Sequence, residues 1–370
     1  MRQVIHVGIN CRDLSKEGGG TKRYLLELLK LLDSGMYEGY KFYIIHNSRN
    51  FKRYFCNLEE KFFNTKNKLI FDYLYVPFWC KKNNLDILLS PKNIVPFLVN
   101  SKKVVTIHDL AYFMPEFNAY PLHDSLYMKY MIKRSCKRAN LIIAVSENTK
   151  KDIIRILGTN EEKIKVIHSG VGNEFNIVEN SEILNEVRSK YHLNKKFILF
   201  TGGITPRKNL VRLIKAFDLI SDKIPHELVL TGARGWDNKK ELGLIEQNVS
   251  IKRLGFVPDE DMPILYNLAD LFVYPSLYEG FGLPPLEAMA CGCPVVASNS
   301  SSIPEVVGDA AIMIDPFDID ALAKSMYEVL TTDELRGEMI KRGLDRSKQF
   351  SWDKCVRESL IAIEEANING

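Results

Sequence analysis

Apolar residues fall along this chain in short runs, each followed by a longer stretch with apolar positions at helical spacing. The runs in the first half are VIHVGIN (4–10), KFYIIHN (41–47), LDILLS (85–90), KVVTIHD (103–109), NLIIAVS (140–146) and KIKVIHSG (163–170). Short β-branched runs that alternate with amphipathic stretches predict parallel strands joined by crossover helices. The glycines Gly18 to Gly20 open one such helix, through TKRYLLELLKLL. After Gly172 the rhythm pauses, and the polar stretch 173–195 reads as a linker with one short helix. A second series follows: KFILFTG (196–202), HELVLTG (226–232), SIKRLGF (250–256), LFVYPS (271–276), CPVVAS (293–298) and AAIMIDP (310–316). The expected architecture is α/β. Two doubly wound Rossmann-like domains, 1–172 and 173–351, face across a cleft, and a terminal helix in 352–370 joins the first. Ligands of such folds lie at the C-terminal ends of the strands, so the site is expected there or between the halves.

Length and composition agree with this picture. A chain of 370 residues exceeds one ordinary core. Apolar residues make up 46% and charged residues 26%, as in globular proteins, and no window is apolar enough to span a bilayer. The N-terminus MRQVIHVGIN runs straight into a strand pattern with no signal-peptide signature, so a cytoplasmic protein is expected. The seven cysteines are scattered, which favours reduced thiols over a disulfide framework. Only Cys291 and Cys293 are close; without further ligands at metal-site spacing they read as small residues at the start of a strand. The net charge of +4 conceals an asymmetry: residues 1–170 carry 28 basic and 16 acidic residues, the remainder 22 and 30. The basic half suggests an anionic partner, with unevenly divided solubility charge as the alternative.

Three stretches offer chemistry. Gly19 and Gly20, at the helix start, allow close backbone approach to an anion, although a structural turn explains them equally well. Neither a P-loop nor a dinucleotide fingerprint is present. In TGGITPRKNL (201–210), Arg207 and Lys208 stand where a helix begins. Cations there oppose the helix dipole unless an anion such as a diphosphate lies between. Two solvated surface cations are the alternative. In YEGFGLPPLEAMACGCPVVAS (278–298), two carboxylates sit eight positions apart across a glycine turn and a proline-led helix start. Carboxylates accept from sugar and ribose hydroxyls, so one of the pair suits a hexose and the other a ribose. A diphosphate bridging them would lie at the backbone N–H groups of the glycines Gly280 and Gly282. The plain alternatives are a solvated loop charge at Glu279 and dipole complementation at Glu287.

The stretch EGFGLPPLEAMA resembles the E-x7-E motif of retaining glycosyltransferases of family 4, which have the GT-B fold. PRKN (206–209), GFVPDEDMP (255–263), ADLFVYPS (269–276), SIPEVVGDAA (302–311), TIHD (106–109), SENTKKDI (146–153) and KIKVIHSGV (163–171) extend the likeness over nearly the whole chain. The resemblance implies that Arg207 and Lys208 bind the donor diphosphate, that Glu279 lies near the donor sugar and Glu287 holds the ribose. It further implies that the backbone of Gly280, Phe281, Gly282 and Leu283 contacts sugar and phosphate, that His108 faces the sugar and that Gly19 and Gly20 lie near the diphosphate. His108, Glu279 and Lys208 are then the catalytic candidates, and no metal or other cofactor is expected. Many members carry an arginine or serine just before the P-R-K segment, where this chain has Gly202-Gly203-Ile204. Diphosphate stabilisation then rests more heavily on Arg207 and Lys208.

The resemblance implies transfer of a hexose from a nucleotide-diphosphate sugar to a hydroxyl of a glycan or lipid-linked acceptor, as in surface polysaccharide synthesis. PRKN and LTGARGW (230–236) resemble mannosyltransferase-like members, which makes GDP-mannose the first donor to test. A non-catalytic nucleotide-sugar or glycan-binding subunit on the same scaffold is the alternative. The segments LHDSLYMKYMIKRSCKR (122–138) and FKRYFCNLEEKFFNTKNK (51–68) interleave aromatic and basic residues. That composition suits an anionic lipid headgroup zone and a peripheral place on the inner face of the membrane, with a solvated helix whose aromatics pack inward as the alternative. Nucleic acid is the rival partner for such a mixture; no recognised motif accompanies it, and none is expected to bind.

Overall fold

The computed structural model describes residues 4–12, 19–48, 55–117, 120, 122–232 and 239–368. The chain forms two compact units. The first comprises Met1–Phe113, His123–Gly170 and Trp352–Gly370, and the second comprises Met114–Leu122 and Val171–Ser351.

The first unit holds seven strands: β1 (Ile5–Asn10), β2 (Tyr40–His46), β3 (Glu59–Phe62), β4 (Ile87–Ser90), β5 (Lys102–Ile107), β6 (Leu141–Ala144) and β7 (Ile164–Val166). They pair in the order β3-β2-β1-β4-β5-β6-β7, all parallel. The second holds β8 (Lys196–Thr201), β9 (His226–Thr231), β10 (Ile251–Gly255), β11 (Leu271–Tyr274), β12 (Val295–Ser298) and β13 (Ile312–Ile314), in the order β10-β9-β8-β11-β12-β13, also all parallel. In each sheet the winding direction reverses once, between β1 and β4 and between β8 and β11. Those two points are where a doubly wound sheet opens a crevice at its strand ends.

The near-continuous apolar runs form central strands because helices cover both faces. Along β8, Ile198 and Phe200 face one cluster with Leu213, Phe217 and Leu230, while Phe197 and Leu199 face the other with Val229, Phe272 and Met289. This is the period-two alternation of a strand, with an apolar layer waiting on each side.

The apolar runs predict every strand except β3. Its sequence EEKF carries no apolar alternation and all four residues are exposed. It forms as a charged edge that docks on β2, where Lys41 Nζ and Glu59 Oε1 lie 2.7 Å apart. The linker helix is Ser181–Lys190, capped by the Asn180 side chain, and the terminal helix is Trp352–Ile368. Between β3 and β4 the chain passes through one π-helical turn, Phe71–Tyr75. Among the described residues no helix is long and apolar enough to cross a membrane.

Candidate functional site

The segment after β8 is built on a buried asparagine. Pro206–Lys208 forms a single 3-10 turn, and Asn209 follows at φ 60°, in the left-handed region. Only then does helix Leu210–Asp218 begin. Arg207 and Lys208 therefore precede the helix rather than opening it, which corrects the sequence expectation. A short polar residue tolerates this backbone conformation, and here its amide is also used. Asn209 Nδ2 donates to the carbonyls of Pro275 (3.0 Å) and Pro316 (2.7 Å), and Oδ1 accepts from Arg212 Nη1 (2.8 Å). Arg207 O accepts from Leu277 N at 2.9 Å. These bonds fix the turn to the chain leaving β11 and β13. Gly232, at the end of β9, packs so tightly that a Cβ there would lie 2.1 Å from Gly202 O.

This turn presents both cations to Glu279. Arg207 Nη1 donates to Glu279 Oε2 at 3.1 Å and to Tyr278 O at 2.8 Å. Lys208 Nζ donates to Glu279 Oε1 at 2.7 Å and to Tyr274 Oη at 2.6 Å. All three charged side chains are largely buried, at 15%, 12% and 10% exposure. Burial pushes the Glu279 carboxyl up, but Arg207 and then Lys208 outweigh it and hold the group at about 2. Burial, and next the Glu279 charge, pushes the Tyr274 phenol well above its usual value. Among the described contacts two cations meet one carboxylate, beyond β8 and β11, the pair that flanks the winding reversal.

The Glu279 loop is held from behind. Glu279 N donates to Ser301 Oγ at 2.8 Å, and Ser302 Oγ lies 3.0 Å from Glu279 O and 2.6 Å from Phe281 O. Gly282, at φ 125°, leads into helix Leu283–Ala290, whose first turn holds Pro284 and Pro285. A Cβ on Gly282 would lie 3.1 Å from Ile303 Cδ1, beside a backbone conformation that other residues rarely adopt. Glu287 falls in the second turn of that helix. It is buried and accepts from Tyr266 Oη at 3.2 Å, and Tyr266 Oη lies 3.4 Å from Thr201 Oγ1 at the end of β8.

His108, Gly19 and Gly20 belong to the first unit. His108 follows β5, and its Nε2 lies 2.8 Å from Pro91 O. A carbonyl has no proton to give, so Nε2 carries the hydrogen and Nδ1 is the acceptor. Burial holds the imidazole below its ordinary pKa, so the ring is neutral at pH 7. Asn93 Oδ1 accepts from His108 N at 2.7 Å. Gly19, at φ 96°, precedes helix Gly20–Leu32. Tyr24 of that helix sets its ring edge-on to His108, with centroids 5.0 Å apart. The first unit thus brings the glycine-led helix against the histidine. Gly18 and Asp13 lie outside the described residues, as do Ala233 to Trp236 of LTGARGW.

Among the described residues no group of His, Cys, Asp and Glu could hold a metal ion. All seven cysteines are free thiols, and Cys291 and Cys293 are buried just before β12. Sequence reading passed over Asn209, Tyr274 and Tyr266. The asparagine after P-R-K was a usable signal for a left-handed residue. Both tyrosines hide in runs that read as core.

Residues 18–175 match the model of Glycosyltransferase Family 4, and residues 184–346 match that of Glycosyl transferases group 1. The O-antigen chain mannosyltransferase B of Escherichia coli is 39% identical over 270 residues, 71% of this chain and 70% of that protein. The chain belongs to the family 4 glycosyltransferases. The serotype-specific mannosyltransferase WbdA of Escherichia coli is 33% identical over 74% of this chain, and the match spans 34% of that longer protein. Anabaena Alr3699/HepE, solved with UDP and glucose, shares the fold at 19% identity and a TM-score of 0.78, with 98% of this chain and all of that one covered. The two parallel sheets and this likeness give the family 4 enzyme a GT-B fold.

Proposed function

We propose that the chain is a retaining hexosyltransferase of polysaccharide synthesis. It moves a hexose, mannose from GDP-mannose being the first candidate, to a hydroxyl of a glycan or lipid-linked acceptor. The observation that carries this reading is the buried Arg207–Glu279–Lys208 cluster at the β8 and β11 strand ends. Negative charge develops on the departing diphosphate during transfer, and donors already oriented toward it lower that barrier without reorganising. Glu279 holds both cations in place before the donor arrives. Each of its oxygens keeps further acceptor capacity beyond the one cation bond, enough to take a sugar hydroxyl. Glu287 is the ribose acceptor in this account. Neutral His108 offers an Nδ1 lone pair to the sugar. The mannosyltransferases that match this chain support the choice of donor.

The same proposal includes an anionic membrane surface for the first unit. Leu69, Ile70, Leu74 and Phe78 are exposed on the helical stretch 68–82, beside Lys68, Lys81 and Lys82. Leu126, Tyr127 and Tyr130 are exposed on helix Leu122–Arg138, which also presents Lys133, Lys137 and Arg138. The two stretches meet where Tyr73 Oη reaches Met131 Sδ (3.5 Å) and where Arg134 stacks 3.2 Å over Phe97, itself edge-on to Tyr73. An apolar surface rimmed by lysine and arginine suits acidic headgroups.

The test is release of free nucleoside diphosphate from a panel of UDP-, GDP- and ADP-sugars with glycan acceptors. Release with one donor, and an anomeric product that keeps the donor's configuration, is expected. No release with any donor would favour a binding subunit. Sedimentation with phosphatidylglycerol vesicles, and none with phosphatidylcholine, checks the membrane contact.

A further inference from the structure

His108 is tied down at its backbone and at one ring atom. Its N–H donates to Asn93 Oδ1 at 2.7 Å, its carbonyl lies 3.5 Å from Thr149 Oγ1, and its Nε2–H reaches Pro91 O at 2.8 Å. The chain and the Nε2 bond thus hold the two ends of the imidazole. The ring can still turn about the line from Cγ to Nε2, and Nδ1 lies off that line. Where the Nδ1 lone pair points is therefore set by whatever fixes the plane of the ring.

The side chain against that ring is Tyr24. The two rings stand at 86°, with centroids 5.0 Å apart. Edge-on packing is directional, because the positive edge of one ring seeks the negative face of another. Tyr24 is itself held from two elements. It lies one turn into helix Gly20–Leu32 and is 2% exposed. Its Oη lies 3.5 Å from Thr106 Oγ1 on β5, the strand that ends just before His108. Ser359 and Cys355 of the terminal helix approach the same oxygen. Trp352, the first residue of that helix, is buried and packs edge-on to Tyr24 at 72°, with centroids 5.7 Å apart. The glycine-led helix, β5 and the terminal helix therefore meet on one ring, and that ring meets the histidine. A leucine would fill much of the same volume but has no edge or face to set against the imidazole.

We infer that Tyr24 is a positioning residue for His108: it sets the plane of the imidazole, with Trp352 holding Tyr24 in turn, and so aims the Nδ1 lone pair. Under the proposed function that lone pair meets the donor sugar. This use rests on that reading; the hold on the ring does not.

The test is NMR of the full chain, isotope-labelled at histidine and tyrosine, in wild type, Tyr24→Leu, Tyr24→Phe and Trp352→Leu, with a thermal melt to confirm folding. Wild type should show a nuclear Overhauser contact between the His108 and Tyr24 rings and a single sharp set of His108 ring resonances. Tyr24→Leu should lose the single set, through exchange broadening or a second set. Tyr24→Phe keeps a ring at the same place and should restore it. The charged neighbours of the imidazole, Asp109 and Lys92, are untouched in every variant, so a change in charge does not explain the loss. Where the melt shows Tyr24→Leu unfolded, Trp352→Leu takes its place with the same outcomes. Absence of the ring–ring contact in wild type, an unchanged single set in the folded variant, or its loss in Tyr24→Phe overturns the inference. Turnover is measured on the same samples. In Tyr24→Leu, kcat should fall by about tenfold to a hundredfold with the donor KM unchanged, and Tyr24→Phe should recover it. An unchanged kcat beside a mobile ring overturns the positioning role. A chain that moves no sugar yet loses the single set in Tyr24→Leu keeps the hold on the ring and loses only the transferase reading. A chain that moves sugar and keeps the single set in Tyr24→Leu loses this inference alone.

Discussion

Lys208 Nζ lies 2.7 Å from Glu279 Oε1, and the two side chains are almost fully enclosed. They are distant in sequence and meet because β8 and β11 are neighbours in the sheet. With Arg207 on the other carboxylate oxygen, the glutamate is the common anchor of both cations. Breaking a buried pair by removing one partner is costly, because the other charge is left in a poorly solvating place. The cluster is therefore a rigid device for presenting positive charge.

Lys208→Ala should lower turnover by about 10²–10³-fold, the usual cost of losing one preorganised donor at a developing negative charge. Glu279 keeps Arg207, so the variant should stay folded, as circular dichroism and a melting curve would show. Turnover within a few-fold of wild type would contradict the assigned role.

Glu279→Gln should change how stability depends on pH. The folded-state value of about 2 lies below the ordinary 4.5, so the carboxylate's stabilisation is complete above pH 4.5 and is lost as pH falls through about 2. Gln mimics the protonated acid. Urea unfolding should place wild type above the variant by on the order of 3 kcal/mol at neutral pH. The curves should converge between pH 4.5 and 2. A constant gap across that window would contradict it.

His108 should titrate below 6.5, because burial disfavours the charged ring. Its folded-state pKa is depressed, so its contribution to stability is intact above pH 6.5 and falls away as acid protonates the unfolded chain preferentially. NMR of the imidazole should show the Nε2–H tautomer at pH 7 and a midpoint under 6.5. A midpoint above 6.5 would mean a charged ring and a different role.

Asn209→Ala should destabilise the second unit by about 2–4 kcal/mol, since two buried carbonyls lose a donor and alanine resists the left-handed backbone. Asn209→Gly keeps the backbone conformation and should cost less. Chemical denaturation of both variants checks the order; equal stability of the two would contradict it.

The central strands were legible because their residues are buried on both faces and read as unbroken apolar runs; β3 was not, because EEKF is an exposed edge held by its neighbour. The two glutamates and the P-R-K turn stood out through their residue types and spacing. The contact between them was hidden, since it depends on strand order, which no local pattern records.

The most direct measurement is the thermal unfolding of wild type and Lys208→Ala with UDP, GDP and ADP. One nucleotide should stabilise wild type, by about 2.7 kcal/mol at a hundred times its dissociation constant, and the stabilisation should disappear in the variant. Stabilisation by none of the three, or equal stabilisation of both proteins, would contradict a diphosphate-binding role for the Arg207–Glu279–Lys208 cluster.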